Sequence, residues 1–476
     1  MATTRNLGGV FMKDVDGRLS STPLYVSTEN VCGIIFDTKF MGGLDNSNRS
    51  TIFGNNANVQ DNFKDGNVVE LNNAEDVAKA GIDDKVMKGL VKYHLDMFFA
   101  LAGDGQRLFV SFMDSTTDTT FSAVEKMQLA ANGIIYQIGV WTGEPIGTKT
   151  TSGNTTSVTI ATDNIIKKLQ TQAEKLGGKI GTINYDGNAP VNIVLNAPIV
   201  ADDALDLDIL PDINTLECPK VSVVIGQAAT DEVHEIQFAM KTSVTTGTGD
   251  DAQTVYHAYV PVGNIGATMA CLAAAPAEES IAHVANFNLA PSITEAELGF
   301  GNLSLSGDDE FEDTASFNNI KAIKYADRNT KIHKKGFIFL RNYDGIENGI
   351  FLSSDQTLSN GDYRTISRGR VIHKSRRVVR LALLPYVNAP FEVESDTGTL
   401  TSSDVTMFTN LVSDALDTYM VEPAMPNVPQ ISGREVIIDE TQNVLDSDAL
   451  LIEYYLLPIG CTSAIYVTEG FTASVS

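Results

Sequence analysis

Between residues 31 and 225, short β-forming runs alternate with helix-length amphipathic stretches, and this alternation restricts the fold more than any other feature of the 476-residue chain. Residues 31–36 and 68–71 read as strands. Ile82, Val86, Leu90, Tyr93, Met97 and Leu101 then recur at steps of four, four, three, four and four, which lays one apolar stripe along a helix with Asp83 and Asp84 in its first turn. A strand at 108–113 follows directly, then a helix at 122–131, a strand at 134–140, a helix at 164–176, and strands at 191–195 and 221–225. Strands separated by helices need crossover connections, so the pattern predicts an α/β layer with a largely parallel sheet. The Thr/Gly/Ser-rich segments 148–160 and 242–252 read as loops or hairpin tips. Segments 202–217 and 307–314 are acidic and are expected to be exposed.

The texture changes beyond residue 318. Strand-like pieces at 320–325, 336–340 and 349–352 precede two helices, about 362–384 and 404–420, the second with Ser402 or Ser403 as N-cap. Pro385 and Pro390 stop the first helix, and Pro423, Pro426 and Pro429 keep the next link extended. Strands at 435–438, 450–457 and 464–468 close the chain. The expectation is a multi-domain α/β (α+β) subunit: an extended, glycine-punctuated arm at 1–22, an α/β body with a β-rich middle at 23–318, and a C-terminal α/β domain at 319–476, with the boundary near 318–345.

Composition removes several function classes. The formal net charge is -26 and the pI about 4.5, which argues against a surface that grips nucleic acid or anionic lipid as a whole. The longest apolar runs fall far below the roughly 18 residues of a membrane-spanning helix, and residues 1–9 carry no apolar signal-peptide core. Cys32, Cys218, Cys271 and Cys461 lie far apart and read as buried free thiols of a reducing compartment. Catalytic motifs are missing. His234-Glu235 lacks the second histidine of a zinc protease, and Asp14-Val15-Asp16-Gly17 lacks the remaining ligands of a calcium loop. Gly143-Glu144-Pro145-Ile146-Gly147-Thr148-Lys149-Thr150 resembles a phosphate loop, but its lysine does not follow the glycine and its proline removes an amide. The sequence therefore calls for no catalytic residue, metal or cofactor; an α/β enzyme whose site matches no motif stays open as an alternative.

The charge is unevenly spread. Fourteen Lys and Arg against five Asp and Glu between 321 and 380 make that segment +9, so the rest of the chain carries -35. At 100° per residue, Val371, Ile372, Ser375, Val378, Val379 and Ala382 fall on one side of the helix. Arg370, His373, Lys374, Arg376, Arg377 and Arg380 fall on the other. Such a face is either a solvated surface or the seat of a polyanionic partner, an acidic protein surface or nucleic acid bound through 364–380.

These C-terminal residues resemble the C-terminal domain of contractile tail sheath proteins. The likeness is carried by Asp362-Tyr-Arg-Thr-Ile-Ser-Arg-Gly-Arg-Val-Ile372, the helix from Ser403 to Met420, Val436-Ile-Ile-Asp439, Leu450-Leu-Ile-Glu-Tyr-Tyr-Leu-Leu-Pro458 and Ala464-Ile-Tyr-Val-Thr-Glu-Gly-Phe471. Upstream, Val68 to Val77, the helix ending Met97-Phe-Phe-Ala100 and the strand Leu108-Phe-Val-Ser-Phe112 resemble the sheath N-terminal region. The family's Pro-Gly-Val-Tyr opening is replaced by Leu7-Gly-Gly-Val-Phe11, residues 145–315 match loosely, and the nearest flavour is a divergent Bacteroidetes-type group. The resemblance implies a non-enzymatic structural subunit that stacks in rings as a helical homo-oligomer around an inner tube and contracts to drive it through an envelope. It implies strand-exchanging arms at Val10, Phe11 and Met12 and at Leu450, Ile452, Tyr454, Ile465 and Val467, and contact of Arg370, His373, Lys374, Arg376, Arg377 and Arg380 with an acidic tube. It further implies baseplate and terminator or cap partners, no membrane, no nucleic-acid role, and assembly in the bacterial cytoplasm into a phage tail or injection-system particle.

Overall fold

The computed structural model describes residues 28–43, 49–54, 56–179, 189–200, 209–229, 235–236, 242–246, 253–257, 262–289, 302–304, 332–341, 343, 346, 350–423, 428–462, 465 and 467. Its main sheet is built from β1 (Cys32–Asp37), β2 (Val69–Leu71), β3 (Leu108–Met113), β4 (Gln137–Trp141), β7 (Asn192–Asn196), β8 (Val221–Val224) and β13 (Phe337–Ile338). These seven strands run in the order β13-β8-β7-β4-β1-β3-β2. Every pairing is parallel except that of β2 with β3, with Cys32 opposite both Leu108 and Gln137. The parallel layer expected from the alternation is present.

Strands β1, β3, β4, β7 and β8 are buried along their whole length, as parallel strands covered on both faces must be. Alternation assigns the faces: Ile34, Phe36, Val110 and Phe112 point into one core, whereas Ile35, Phe109, Ile138 and Val140 point into the other. Helices α1 (Leu90–Ala102) and α4 (Ile265–Ala274) close the first face, and α2 (Ala123–Ala130) and α3 (Ile165–Gly177) the second. Asn164 caps α3 by accepting from Lys167 N at 3.1 Å.

Several expectations are corrected. The helix predicted from Ile82 begins only at Leu90, because Met87 (φ 46°), Lys88 (φ 58°) and Gly89 (φ 91°) turn left-handed and break the helical ladder. Helix α4 carries no amphipathic signal: it is buried on every side, and Gly266 lets it approach α1 so closely that a Cβ there would stand 2.1 Å from His94 O. Of the two segments expected as loops or hairpin tips, 148–160 is a hairpin as expected, β5 (Thr148–Ser152) with β6 (Thr155–Thr159), and in the other β10 (Thr242–Thr246) pairs with β11 (Gln253–His257). Short pairs β9 (Gln227–Ala229) with β12 (Asn302–Ser304) and β14 (Leu340–Arg341) with β15 (Phe351–Leu352) are also present among the described residues. The arm at 1–22, the acidic segment 307–314 and the strand expected at 320–325 lie outside the described residues.

The chain divides into two compact units, the smaller holding 375–428 and 434–456 and the larger holding 27–374, 429–433 and 457–476. The division thus falls inside helix α5 (Ile366–Leu383), not near 318–345, because the 332–358 strands pair with β8 and with each other and so belong to the body. In the smaller unit, α6 (Ser402–Leu416) buries Val405 and Phe408 with Leu400 and Ile438, and Tyr386 and Phe391 meet Phe408 edge-on at 5.6 and 5.1 Å. The α6 cap is Thr401, which accepts from Asp404 N at 3.3 Å, rather than Ser402 or Ser403.

Candidate functional site

The basic side of α5 divides into a buried portion and an outer portion. Arg370 is fully buried and its guanidinium is met on every side: Nη2 donates to Ala275 O at 2.8 Å and Glu29 O at 3.2 Å, and Nη1 to Pro276 O at 3.1 Å. With its amide oriented to satisfy both groups, Gln137 accepts from Arg370 Nε at 2.8 Å and donates to Tyr136 O at 3.2 Å. The carbonyls of Ala275 and Pro276 lie just past the C-terminus of α4, where a cation complements the helix dipole. Lys374 is buried against the Glu29 carboxylate, and His373 is buried as well. Gly369 permits this seating, since a Cβ there would come within 2.8 Å of the Asn192 side chain on β7.

This corrects the sequence expectation for three residues. Arg370, His373 and Lys374 sit inside the chain and not on a tube-facing surface, because Glu29 and the carbonyls after α4 supply the counter-charge and acceptors that burial of a cation demands. The remaining basic surface is made by Arg376 and Arg380, exposed, with Arg377 half-buried; Arg364 is exposed and Arg368 half-buried at the start of the helix. Burial pulls the Arg370 pKa down, opposed by the charge of Glu29, and pushes the Glu278 carboxyl up, with Glu29 adding to the rise and Lys374 opposing it.

The second candidate surface is the C-terminal pair β16 (Ile431–Ile437) with β17 (Glu453–Pro458), which form a sheet of two strands among the described residues. Of the residues expected to form the C-terminal arm, Leu450 and Ile452 pack partly against the small core, and Tyr454 OH lies 3.2 Å from Ser375 Oγ. Ile465 and Val467 are 81% and 82% exposed. Val10, Phe11 and Met12 lie outside the described residues. The sequence reading misses the opposite face: Leu451, Tyr455 and Leu457 point outward with Ile437, and Tyr455 and Leu457 are 56% and 62% exposed. The signal lies in the run Leu450-Leu-Ile-Glu-Tyr-Tyr-Leu-Leu457, interrupted only by Glu453, which makes both faces apolar where a half-buried strand alternates.

The other chemical candidates give less. Residues 144–148 of the segment 143–150 line an open cavity of about 310 Å³ that also holds the Lys39–Glu144 ion pair, but the segment runs into strand β5, so no helix N-terminus follows to make a phosphate cradle. Asp37 gathers the loops after β1, β3 and β4 by accepting from Ser115 Oγ and Thr142 Oγ1, both at 2.7 Å, which is an architectural role. Among the described residues no three His, Cys, Asp or Glu side chains come together as a metal site, and no helix is long and apolar enough to cross a membrane. Cys32, Cys218 and Cys271 are buried thiols, with burial pushing Cys32 and Cys271 to about 12; Cys461, expected to be buried, is exposed.

Comparison with known proteins bears on the fold. Residues 362–476 match the family model described as DUF2586, C-terminal domain. No curated protein matches the sequence. The helical sheath of the anti-feeding prophage in its contracted state is similar over 99% of this chain and 100% of its own, with 11% identity and a TM-score of 0.50. The sheath complex of an extracellular contractile injection system, PVC, also contracted, is similar over 100% of this chain and 99% of its own, with 11% identity and a TM-score of 0.52. The likeness first visible in scattered C-terminal and N-terminal segments thus extends in fold to the whole chain, and its fold is that of a contractile sheath subunit.

Proposed function

We propose that this chain is the repeating subunit of a contractile sheath, polymerising as stacked rings around an inner tube and contracting to drive that tube through a target envelope. The observation that carries the reading is the fold correspondence over essentially all of both chains, which a shared α/β layer alone would not produce. The two-stranded sheet β16–β17 supports it: a sheet that small is marginal by itself, and outward apolar residues at Ile437, Leu451, Tyr455 and Leu457 suit added strands from neighbouring copies. The arms are residues 1–22, with Val10, Phe11 and Met12, and the terminal segment with Ile465 and Val467. Arg376, Arg377 and Arg380 face an acidic tube; exposed ion pairs worth about 0–1 kcal/mol each suit a contact that must break on contraction. The subunit acts without catalysis or cofactor, and it meets baseplate and terminator or cap proteins at the ends of a phage tail or injection-system particle assembled in the bacterial cytoplasm.

Negative-stain electron microscopy of the purified chain tests the proposal. Helical tubes or stacked rings are expected, and deletion of residues 1–20 or of the last strand should abolish them while leaving folded monomers. A monodisperse monomer at high concentration overturns the sheath reading, and a tight DNA complex with steep salt dependence replaces it with nucleic-acid binding.

A further inference from the structure

Lys374 is the last residue of the larger unit before the chain enters the smaller one, and Gln430 lies in 429–433, where the chain runs briefly back through the larger unit before its final return at 457. Both side chains end on one carboxylate. Lys374 Nζ pairs with Glu29 Oε1, and Gln430 Nε2 donates to Glu29 Oε2 at 3.1 Å. The same Oε2 accepts from Ala277 N at 3.1 Å, and the Glu29 carbonyl accepts from Arg370 Nη2 at 3.2 Å. Glu29, Arg370, Lys374 and Gln430 are all buried.

Just beyond 374 and 433 the chain is tied at once within the smaller unit. Ser375 Oγ lies 3.2 Å from Tyr454 OH; Arg434 Nε donates to Ser413 O at 3.2 Å and its guanidinium pairs with Asp417. The change from one set of anchors to the other therefore takes a single peptide step at 374–375 and only the short run 430–434, which includes Gly433. On the larger unit's side, Glu29 serves both of these stretches.

We propose that Glu29 anchors the chain at two of the places where it passes between the units, 374–375 and 429–434, a conformational lock whose loss loosens residues 370–376 and 429–434 together while the parallel sheet stays folded. Its carboxylate pairs directly with a buried lysine, whose charge the neighbouring Glu278 also feels, and removing one partner of a buried pair weakens the compensation of the other charge, whereas removing both does not. The inference concerns the single chain and stands whether or not the chain forms a sheath.

Hydrogen exchange of the full-length chain, with variants compared in the same assembly state, tests it. Glu29→Gln is expected to speed amide exchange about tenfold or more at 370–376 and at 429–434, with β1, β4 and β7 unchanged. Glu29→Gln combined with Lys374→Met should restore protection at 370–376. Acceleration spread through the sheet, acceleration at only one of these two stretches, or none at all overturns the proposal. If Glu29→Gln alone does not fold, the double variant is expected to fold, and a double variant equally unfolded also overturns it.

Discussion

Replacing Arg370 by leucine separates a structural guanidinium from an interfacial one. The substitution removes donors at 2.8, 3.1 and 3.2 Å from Ala275 O, Pro276 O and Glu29 O and leaves these acceptors buried. It also strips a neighbouring cation from Glu29, whose charge acts on Arg370. Breaking a buried, hydrogen-bonded charge network of this kind costs about 3–5 kcal/mol, whereas truncating an exposed arginine changes stability by about 0.5 kcal/mol or less. The assay is urea unfolding followed by the fluorescence of Trp141, the single tryptophan, which belongs to the same unit and donates from its indole to Val262 O at 2.9 Å. Arg370→Leu should lower the unfolding midpoint by that free energy with an unchanged slope, and Arg376→Leu and Arg380→Leu should leave the midpoint near the wild-type value. A cost below about 1 kcal/mol for Arg370→Leu would refute the claim that its burial is balanced by these acceptors.

His94 supplies a pH dependence. It is fully buried between Val262 O, 2.8 Å from Nε2, and Gly266 N, 3.4 Å from Nδ1, and burial lowers its pKa from 6.5 to about 4. The unfolded chain therefore takes up the proton first as pH falls, so stability is full above about 6.5 and declines through the window down to about 4, by at most roughly 3 kcal/mol; His94→Asn should flatten that part of the Tm–pH curve. At the proposed tube surface, Arg376→Glu with Arg380→Glu should abolish co-sedimentation with the tube protein while leaving the melting temperature unchanged. Undiminished co-sedimentation removes these arginines from the contact.

Much of the body is legible because its strands obey rules local to each segment. The predicted strand at 108–113 matches β3, and helix α3 starts one residue after its Asn164 cap, since a buried apolar run and a cap declare themselves within a few residues. Helix α4 is not legible: Ile265-Gly-Ala-Thr-Met-Ala-Cys-Leu-Ala-Ala274 is apolar around its whole circumference, so it offers no stripe to detect. The break at 87–89 is hidden by an apolar spacing that continues through it. The candidate site is half legible. The sequence locates the basic helix and the terminal strands, but its spacing favours the inward residues Leu450, Ile452 and Tyr454 of the apolar run and passes over Leu451, Tyr455 and Leu457 on the outer face.

The sequence by itself determined the α/β layer, the concentration of positive charge on one helix of an acidic chain, and the strand-forming end, because each follows from the spacing and composition of neighbouring residues. Only the tertiary structure decided which of those charges are surface. A side-chain cation goes inside when a counter-charge and free carbonyls are brought to it, and for Arg370 those come from Glu29, 341 positions away, and from the end of a helix that leaves no periodic trace.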